Sequence, residues 1–337
     1  MIRLSVLDQS PVRSGGTPAE AVEETIRLAQ ATERFGYHRY WLAEHHGTDG
    51  FAGSAPEILI TRVAAATSDI RVGAGGVMLS HYSPLKVAET FRLLEVMYPG
   101  RIDLGIGRAP GSDQITARAL AYGSQIGIEY FPARIADLVA FLADAPPATN
   151  AFTKVRATPK AQSIPQVWLL GSSGESAAYA AHFGVAFSFA HFINPYGGDQ
   201  VLRSYREQFQ PSAQWAKPSA SLCVFVICAE TEEEAKELAI SRDLWRIRLD
   251  RGELSPYPSV EEARSYPYTP QEWARVERNR ERNVVGTAAQ VKTRLTALAE
   301  AYDVEELVIL TICHDFAARL HSYELLAEAF GLIPRGD

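Results

Sequence analysis

Cysteine is scarce in this chain of 337 residues: Cys223, Cys228 and Cys313, with no Cys-x-x-Cys pair. Three thiols cannot build a disulfide framework, so they read as small core side chains and a reducing, cytoplasmic setting is expected. Long apolar runs are also missing. None reaches the roughly 20 residues of a membrane-spanning helix. The first residues, Met-Ile-Arg-Leu-Ser-Val-Leu-Asp, lack the basic region and apolar core of a secretory leader. A soluble, non-secreted protein is therefore expected, with no membrane partner. Positive charge does not dominate, since 33 Lys and Arg face 40 Asp and Glu for a formal net charge of −7. No Lys/Arg-dense run interleaves with aromatics, which excludes nucleic acid as an expected partner. Internal repeats and low-complexity linkers are absent too, so residues 1–337 read as one domain.

What the chain does have is alternation. Short apolar strand segments fall at 3–7, 38–43, 70–79, 101–107, 165–170, 185–190, 220–229 and 306–311, and nearly every one is followed by a helical pattern. Helix starts are marked by Thr17 with Glu20, by Ser54-Ala55-Pro56-Glu57, by Ser83-Pro84, by Thr231 with Glu234, and by Thr287 with Gln290. Residues 112–164 are less regular and hold one helix near 131–144. Residues 251–282, with Pro256, Pro258, Pro267, Pro270 and a dense Arg/Glu run, read as an insertion and part of a lid. Strands with a helix on each crossover imply a parallel sheet. Eight of them imply a closed (β/α)8 TIM barrel with insertions; an open doubly wound sheet is the alternative.

Chemistry gathers where the strands end. The second strand stops in Glu44-His45-His46. A histidine at that edge can exchange a proton near neutral pH, and a neighbouring carboxylate can orient it. The same residues also read as loop hydrogen-bonders. His81 and His191 fall near other strand ends, but the spacing matches no helix-borne metal motif, and no metal site is expected. Gly73-Ala74-Gly75-Gly76 interrupts a strand, which points to a bulge or to a flat group against the backbone. The run Gly105-Ile106-Gly107-Arg108-Ala109-Pro110-Gly111 is no Rossmann turn, because Pro110 and the glycine spacing break that fingerprint. Its useful residue is Arg108, a cation leaving strand four. Gly171-Ser172-Ser173-Gly174-Glu175-Ser176 puts hydroxyls at a helix N-terminus, where free N–H groups and the helix dipole favour an anion. An ordinary capping box of Ser172 with Glu175 is the plainer alternative. One phosphate cradle plus one arginine suits a mononucleotide better than a dinucleotide, and a flavin fits that description.

Taken in combination, these motifs resemble the bacterial luciferase-like flavin monooxygenase family across nearly the whole chain. The residues that carry the likeness are Trp41-Leu-Ala-Glu-His-His46, Gly73-Ala-Gly-Gly-Val-Met-Leu79, Gly100-Arg-Ile-Asp-Leu-Gly-Ile-Gly-Arg108, Leu170-Gly-Ser-Ser-Gly-Glu-Ser176 and Val284-Val-Gly-Thr287. The versions around Met78 and Arg108 look most like a single-chain subgroup that includes tailoring oxygenases of aromatic polyketide pathways, hence of antibiotic biosynthesis. The resemblance implies a (β/α)8 barrel binding reduced FMN as a co-substrate, or in some branches the deazaflavin F420, at the C-terminal mouth. It implies a non-proline cis peptide at Gly75-Gly76 behind the flavin ring. Arg108, Gly171, Ser172, Ser173 and Ser176 match the phosphate site. His45, beside Glu44, matches the catalytic base, His191 a wall of the ring pocket, and Asp8 a weaker wall position. Gly107 stands where light-emitting members carry a reactive cysteine, which lowers the expectation of luminescence.

The expected reaction is oxygenation (epoxidation or hydroxylation) of a small organic substrate through a flavin hydroperoxide. A separate reductase would supply the flavin, because no nicotinamide fingerprint is visible, and a homodimer through residues 55–68 and 84–98 is expected. Phe51, Tyr82, Tyr122, Phe189 and Phe192 are candidate aromatic walls. The alternatives are an F420-dependent hydride transfer, a metal-dependent barrel hydrolase using Glu44, His45, His46 and His81, and a flavin-binding protein without catalysis.

Overall fold

The computed structural model describes residues 2–335 apart from 110, 123–127 and 148–149. In chain order its strands are β1 (Arg3–Asp8), β2 (Arg39–Leu42), β3 (Arg71–Met78), β4 (Ile102–Gly107), β5 (Gln166–Gly171), β6 (Ala186–Ala190), β7 (Ala220–Ala229), β8 (Asn283–Thr287) and β9 (Glu306–Leu310). All pairings are parallel. The order β6-β5-β4-β3-β2-β1-β9-β7 closes on itself because β6 also pairs with β7. Eight strands therefore form the expected (β/α)8 barrel. The strand not foreseen is β8, which lies along the far half of β7 from Phe225↔Asn283 to Ala229↔Thr287.

The helices are α1 (Pro18–Arg34), α2 (Pro56–Ala65), α3 (Pro84–Met97), α4 (Gln114–Ala121), α5 (Phe131–Leu142), α6 (Gly174–Phe183), α7 (Gly198–Gln208), α8 (Glu232–Asp250), α9 (Val260–Ser265), α10 (Pro270–Arg280), α11 (Ala288–Tyr302) and α12 (Phe316–Phe330). Among the described residues no helix is long and apolar enough to cross a membrane. Thr17 and Thr287 cap α1 and α11 with reciprocal bonds to Glu20 and Gln290. The start of α2 differs from expectation. Ala55, not Ser54, is the boundary residue, and no side chain caps it. The proline-rich insertion holds two short helices, α9 capped by Ser259 and α10 capped by a Thr269–Glu272 box. In the region 112–164 α4 was likewise not foreseen; Asp113 caps it by accepting from the N–H groups of Ile115 and Thr116.

Side chains alternate across each barrel strand, and the inward set is regular. Leu7, Trp41, Trp168, Ala186, Cys223, Phe225, Val308 and Leu310 fill the interior, while a larger apolar layer lies between the outer strand faces and the helices. Below that interior layer, at the N-terminal end of the strands, the inward residues are charged. Arg39 on β2 reaches Asp103 on β4 at 2.6 Å and Glu306 on β9 at 2.6 Å. Arg71 on β3 holds the other oxygen of Asp103 at 2.6 Å, and Ser5 on β1 donates to Glu306 at 2.7 Å. The indole N–H of Trp41 also donates to Asp103, at 3.0 Å, and the Arg39 guanidinium lies over the Trp168 ring. Burial alone would raise both carboxyl pKa values. The guanidinium of Arg39, joined by Arg71 at Asp103, holds them below the ordinary range instead.

This plug yields a stability prediction. Replacing Arg39 with Met leaves two buried carboxylates short of a counter-charge, which costs about 3–5 kcal/mol. Urea unfolding at neutral pH should show that loss, and a loss below about 1 kcal/mol would contradict the assigned role.

Candidate active site

The opposite, C-terminal end of the barrel holds a cavity of about 600 Å³. Its walls follow from the same alternation. Leu7 and Gln9 come from β1 and its exit, Trp41 and Ala43 from β2 and its exit, Leu170 from β5, and Ser188 and Ala190 from β6. Gly75 and Gly76 form part of one wall, and the peptide between them is cis. The register of β3 against β4 shifts between Ala74 and Val77, so both glycines turn to the cavity. A β-carbon on Gly76 would stand 2.7 Å from the carbonyl oxygen of Gly105, which leaves no room for a side chain.

One end of the cavity is an anion cradle. Ser172, Ser173, Ser176 and Arg108 all line it. Ser173 is the boundary residue of α6 but makes no side-chain cap. The alternative capping box of Ser172 with Glu175 is therefore not formed, and Glu175 pairs instead with Arg108. Among the described residues no side chain caps the first N–H groups of α6, which lie at the positive end of the helix dipole. Gly171 allows the approach of the third hydroxyl, since a β-carbon there would meet Ser176 Oγ at 2.7 Å. These residues fit a phosphate: donors converge, one cation attends, and no carboxylate other than the Arg108 partner is among them.

His45 stands at the junction between this cavity and a second one of about 540 Å³. Its backbone N–H donates to Gly53, its ring lies 4.5 Å from that of Phe51, and its Nδ1 is buried with no protein partner among the described residues. Burial, reinforced by His46, pushes its pKa down to about 4. The imidazole is therefore neutral at physiological pH. Glu44 does not orient it. Its carboxylate accepts from His46 Nε2 at 2.7 Å, from the Tyr82 hydroxyl at 2.8 Å and from the Met78 N–H at 2.9 Å. Glu44 lines the cavity, yet it ties the β2 exit to the end of β3 and positions the loop that carries His45.

Two wall assignments are corrected by strand parity. Ser188, Ala190 and Phe192 face the cavity, so His191 faces away and packs edge-on against Tyr302, with ring centroids 5.9 Å apart. Its pKa is also pushed down to about 4 by burial, with Arg294 and Arg282 adding to it. Leu7 and Gln9 face inward, so Asp8 faces outward. There it accepts from Arg319 at 2.7 Å and from the Tyr40 hydroxyl at 2.5 Å. Of the aromatic candidates, Phe51 and Phe192 reach the cavities, Phe189 is buried outside the barrel, Tyr82 serves Glu44, and Tyr122 is exposed. At Gly107 a β-carbon would touch only Met78, at 3.4 Å, among the described residues. The position is open rather than sterically barred. No group of three or more His, Cys, Asp or Glu among the described residues is arranged to hold a metal ion. Gln9, Met78 and Cys223 also line the cavity and were not singled out from sequence, although strand alternation would have reached Gln9 and Cys223.

A family model described as luciferase-like monooxygenase matches residues 2–305. The chain belongs to the luciferase-like monooxygenase family. It is 48% identical over 330 residues to the uncharacterized protein YceB of Bacillus subtilis (strain 168), covering 98% of this chain and 100% of that protein. It is 39% identical to the N-acetyl-S-alkylcysteine monooxygenase of the same organism, covering 98% of each. The crystal structure of apo-MsnO8 superposes with a TM-score of 0.90 at 40% identity, covering 99% of this chain and 100% of that one. Family membership and the closed barrel agree on a luciferase-like monooxygenase scaffold.

Buried His191 and half-buried His38 and His45 make the stability of this luciferase-like barrel depend on pH. His38, His45 and His191 each have a folded pKa of about 4 against an ordinary 6.5. The unfolded chain takes up their protons below pH 6.5 while the native one does not. Their stabilisation is therefore present above pH 6.5 and lost as pH falls toward 4. Urea titrations across that window should show a falling unfolding free energy, and replacing His191 with Gln should flatten the slope. A flat wild-type profile would contradict neutral imidazoles with lowered pKa values.

Proposed function

We propose that this protein is a two-component monooxygenase that uses reduced FMN and dioxygen to epoxidise or hydroxylate a small organic substrate. Aromatic polyketides are the substrate class to which the family resemblance points. The observation that carries the reading is the joined pair of cavities at the barrel mouth. One has an anion cradle at its end and a glycine-lined wall, and His45 sits at its junction with the other. Reduced FMN, when bound, supplies two electrons that activate dioxygen, one oxygen atom entering the substrate and the other leaving as water.

The chain's own residues do the rest. Ser172, Ser173 and Ser176, the α6 N-terminus and Arg108 hold the phosphate. Gly75 and Gly76 let the flat ring approach the backbone. Leu7, Trp41, Ala43 and Leu170 exclude water, which strengthens every polar interaction inside and suppresses side reactions. His45, neutral and with no partner for Nδ1 among the described residues, takes or returns a proton between cofactor and substrate. A separate reductase supplies the reduced flavin from solution. The exposed Ile58 on α2, with Leu93 and Met97 on α3, forms one apolar groove that a second copy of the chain would cover in a homodimer.

The reading is tested by mixing the protein anaerobically with reduced FMN and admitting oxygen. Protein-bound flavin should reoxidise more slowly than free flavin and release peroxide late. Reoxidation indistinguishable from free flavin, with tight binding of F420 instead, would contradict it and favour hydride transfer. His45→Ala should keep FMN affinity within a few-fold and cut turnover of an accepted substrate by roughly 100-fold. If flavin affinity collapses while turnover per bound flavin survives, the proton-transfer role is wrong. For the dimer, sedimentation of the wild type should give twice the chain mass and Leu93→Glu should give one; a monomeric wild type would remove the proposed interface.

A further inference from the structure

The second cavity contains a buried cation, Arg242, with no carboxylate in ion-pair contact among the described residues. Arg242 lies on α8 and is 4% exposed, with its guanidinium carbon 3.4 Å from the centroid of the Phe225 ring. Its Nε donates to the neutral amide oxygen of Asn283, at 3.3 Å. Among the described residues no carboxylate lies within ion-pair distance of it. The adjacent Asp243 turns the other way and holds Arg280 at 2.6 Å. One turn along α8 is Arg246. Its Nε is buried without a partner among the described residues, and its nearest carboxylate, Asp250, is 4.0 Å away.

Both arginines line the cavity of about 540 Å³ that begins at His45. Two carboxylates also line it. Asp113 is engaged by the N–H groups of Ile115 and Thr116, and Glu253 faces Arg251 at 4.0 Å. The other walls include Phe51, Trp245, Leu249 and Leu310. An uncompensated guanidinium in such surroundings is costly unless an anion joins it. Burial, with repulsion from Arg246 and Arg282, pushes Arg242 down to about 9, in keeping with a missing counter-charge.

We infer that the second cavity is the substrate pocket and that it selects organic molecules bearing a carboxylate or similar anionic group, which pairs with Arg242 and Arg246 while the apolar walls hold the body beside His45. The guanidinium fork suits a carboxylate held by two parallel bonds. The inference rests on the flavin occupying the first cavity, and its test separates the two ideas.

Binding of 4-phenylbutyrate and of its neutral amide is measured by calorimetry, with and without FMN, on the wild type and on Arg242→Met and Arg242→Lys. The wild type should prefer the carboxylate by about 10-fold or more. Arg242→Met should lose that preference while keeping its amide and FMN affinities, and Arg242→Lys should retain part of it. Equal or absent binding of the two probes by the wild type, or a preference that survives in Arg242→Met, would overturn the inference. Because the acid–amide comparison is made within the wild type, a poorly folded variant cannot mask the answer. A carboxylate preference in a wild type that binds no FMN would sink the flavin reading and leave the anion pocket standing.

Discussion

The barrel depends on a charged plug. Arg39 spans from β2 to Asp103 on β4 and Glu306 on β9, while Arg71 and Ser5 draw in β3 and β1. Five of the eight barrel strands thus share one buried hydrogen-bonded ion network. Such a network is tolerated only when every charge is matched, so the strands cannot slide past one another without stranding a carboxylate. Register is therefore pinned at the N-terminal end. Since a one-residue slip would reverse the facing of every side chain above it, the plug also decides what reaches the mouth. Ser5 implies Leu7 and Gln9, Arg39 implies Trp41, Ala43 and His45, and Asp103 implies Gly105 and Gly107. The charged plug lies at one end and the candidate site at the other, as barrel architecture favours.

The architecture was legible because its signals are local and repeated. Apolar strands, hydroxyl caps and helix-ending glycines recur along the chain, and eight of the nine strands fall close to where the pattern puts them. What escaped was short or disguised. The β8 strand carries just Val284 and Val285 as apolar residues behind an Arg/Glu run, and it owes its existence to the free edge of β7. Within 251–282, read as an insertion, Pro270 merely opens α10 behind its Thr269 cap.

The site was legible in its motifs and less so in its geometry. The cradle of Ser172, Ser173, Ser176 and Arg108 assembles because a strand end, a helix start and a neighbouring strand end converge. His191 and Asp8 were misplaced for one reason: each sits beside an inward-facing residue, and proximity in sequence hid opposite facing. Glu44 was paired with the wrong histidine, because a sequence cannot say which ring a carboxylate reaches. Arg242 was invisible, since a charged helix reads as a solvated one until its burial is known.

The central claim is that one cavity holds the cofactor and its neighbour the substrate. The most direct measurement is a crystal structure of the protein with FMN. The account predicts the phosphate among Ser172, Ser173, Ser176 and Arg108, the ring against Gly75 and Gly76, and the Arg242 cavity left to a second molecule. A phosphate bound at Arg242 and Arg246, with the ring away from the glycines, would contradict it.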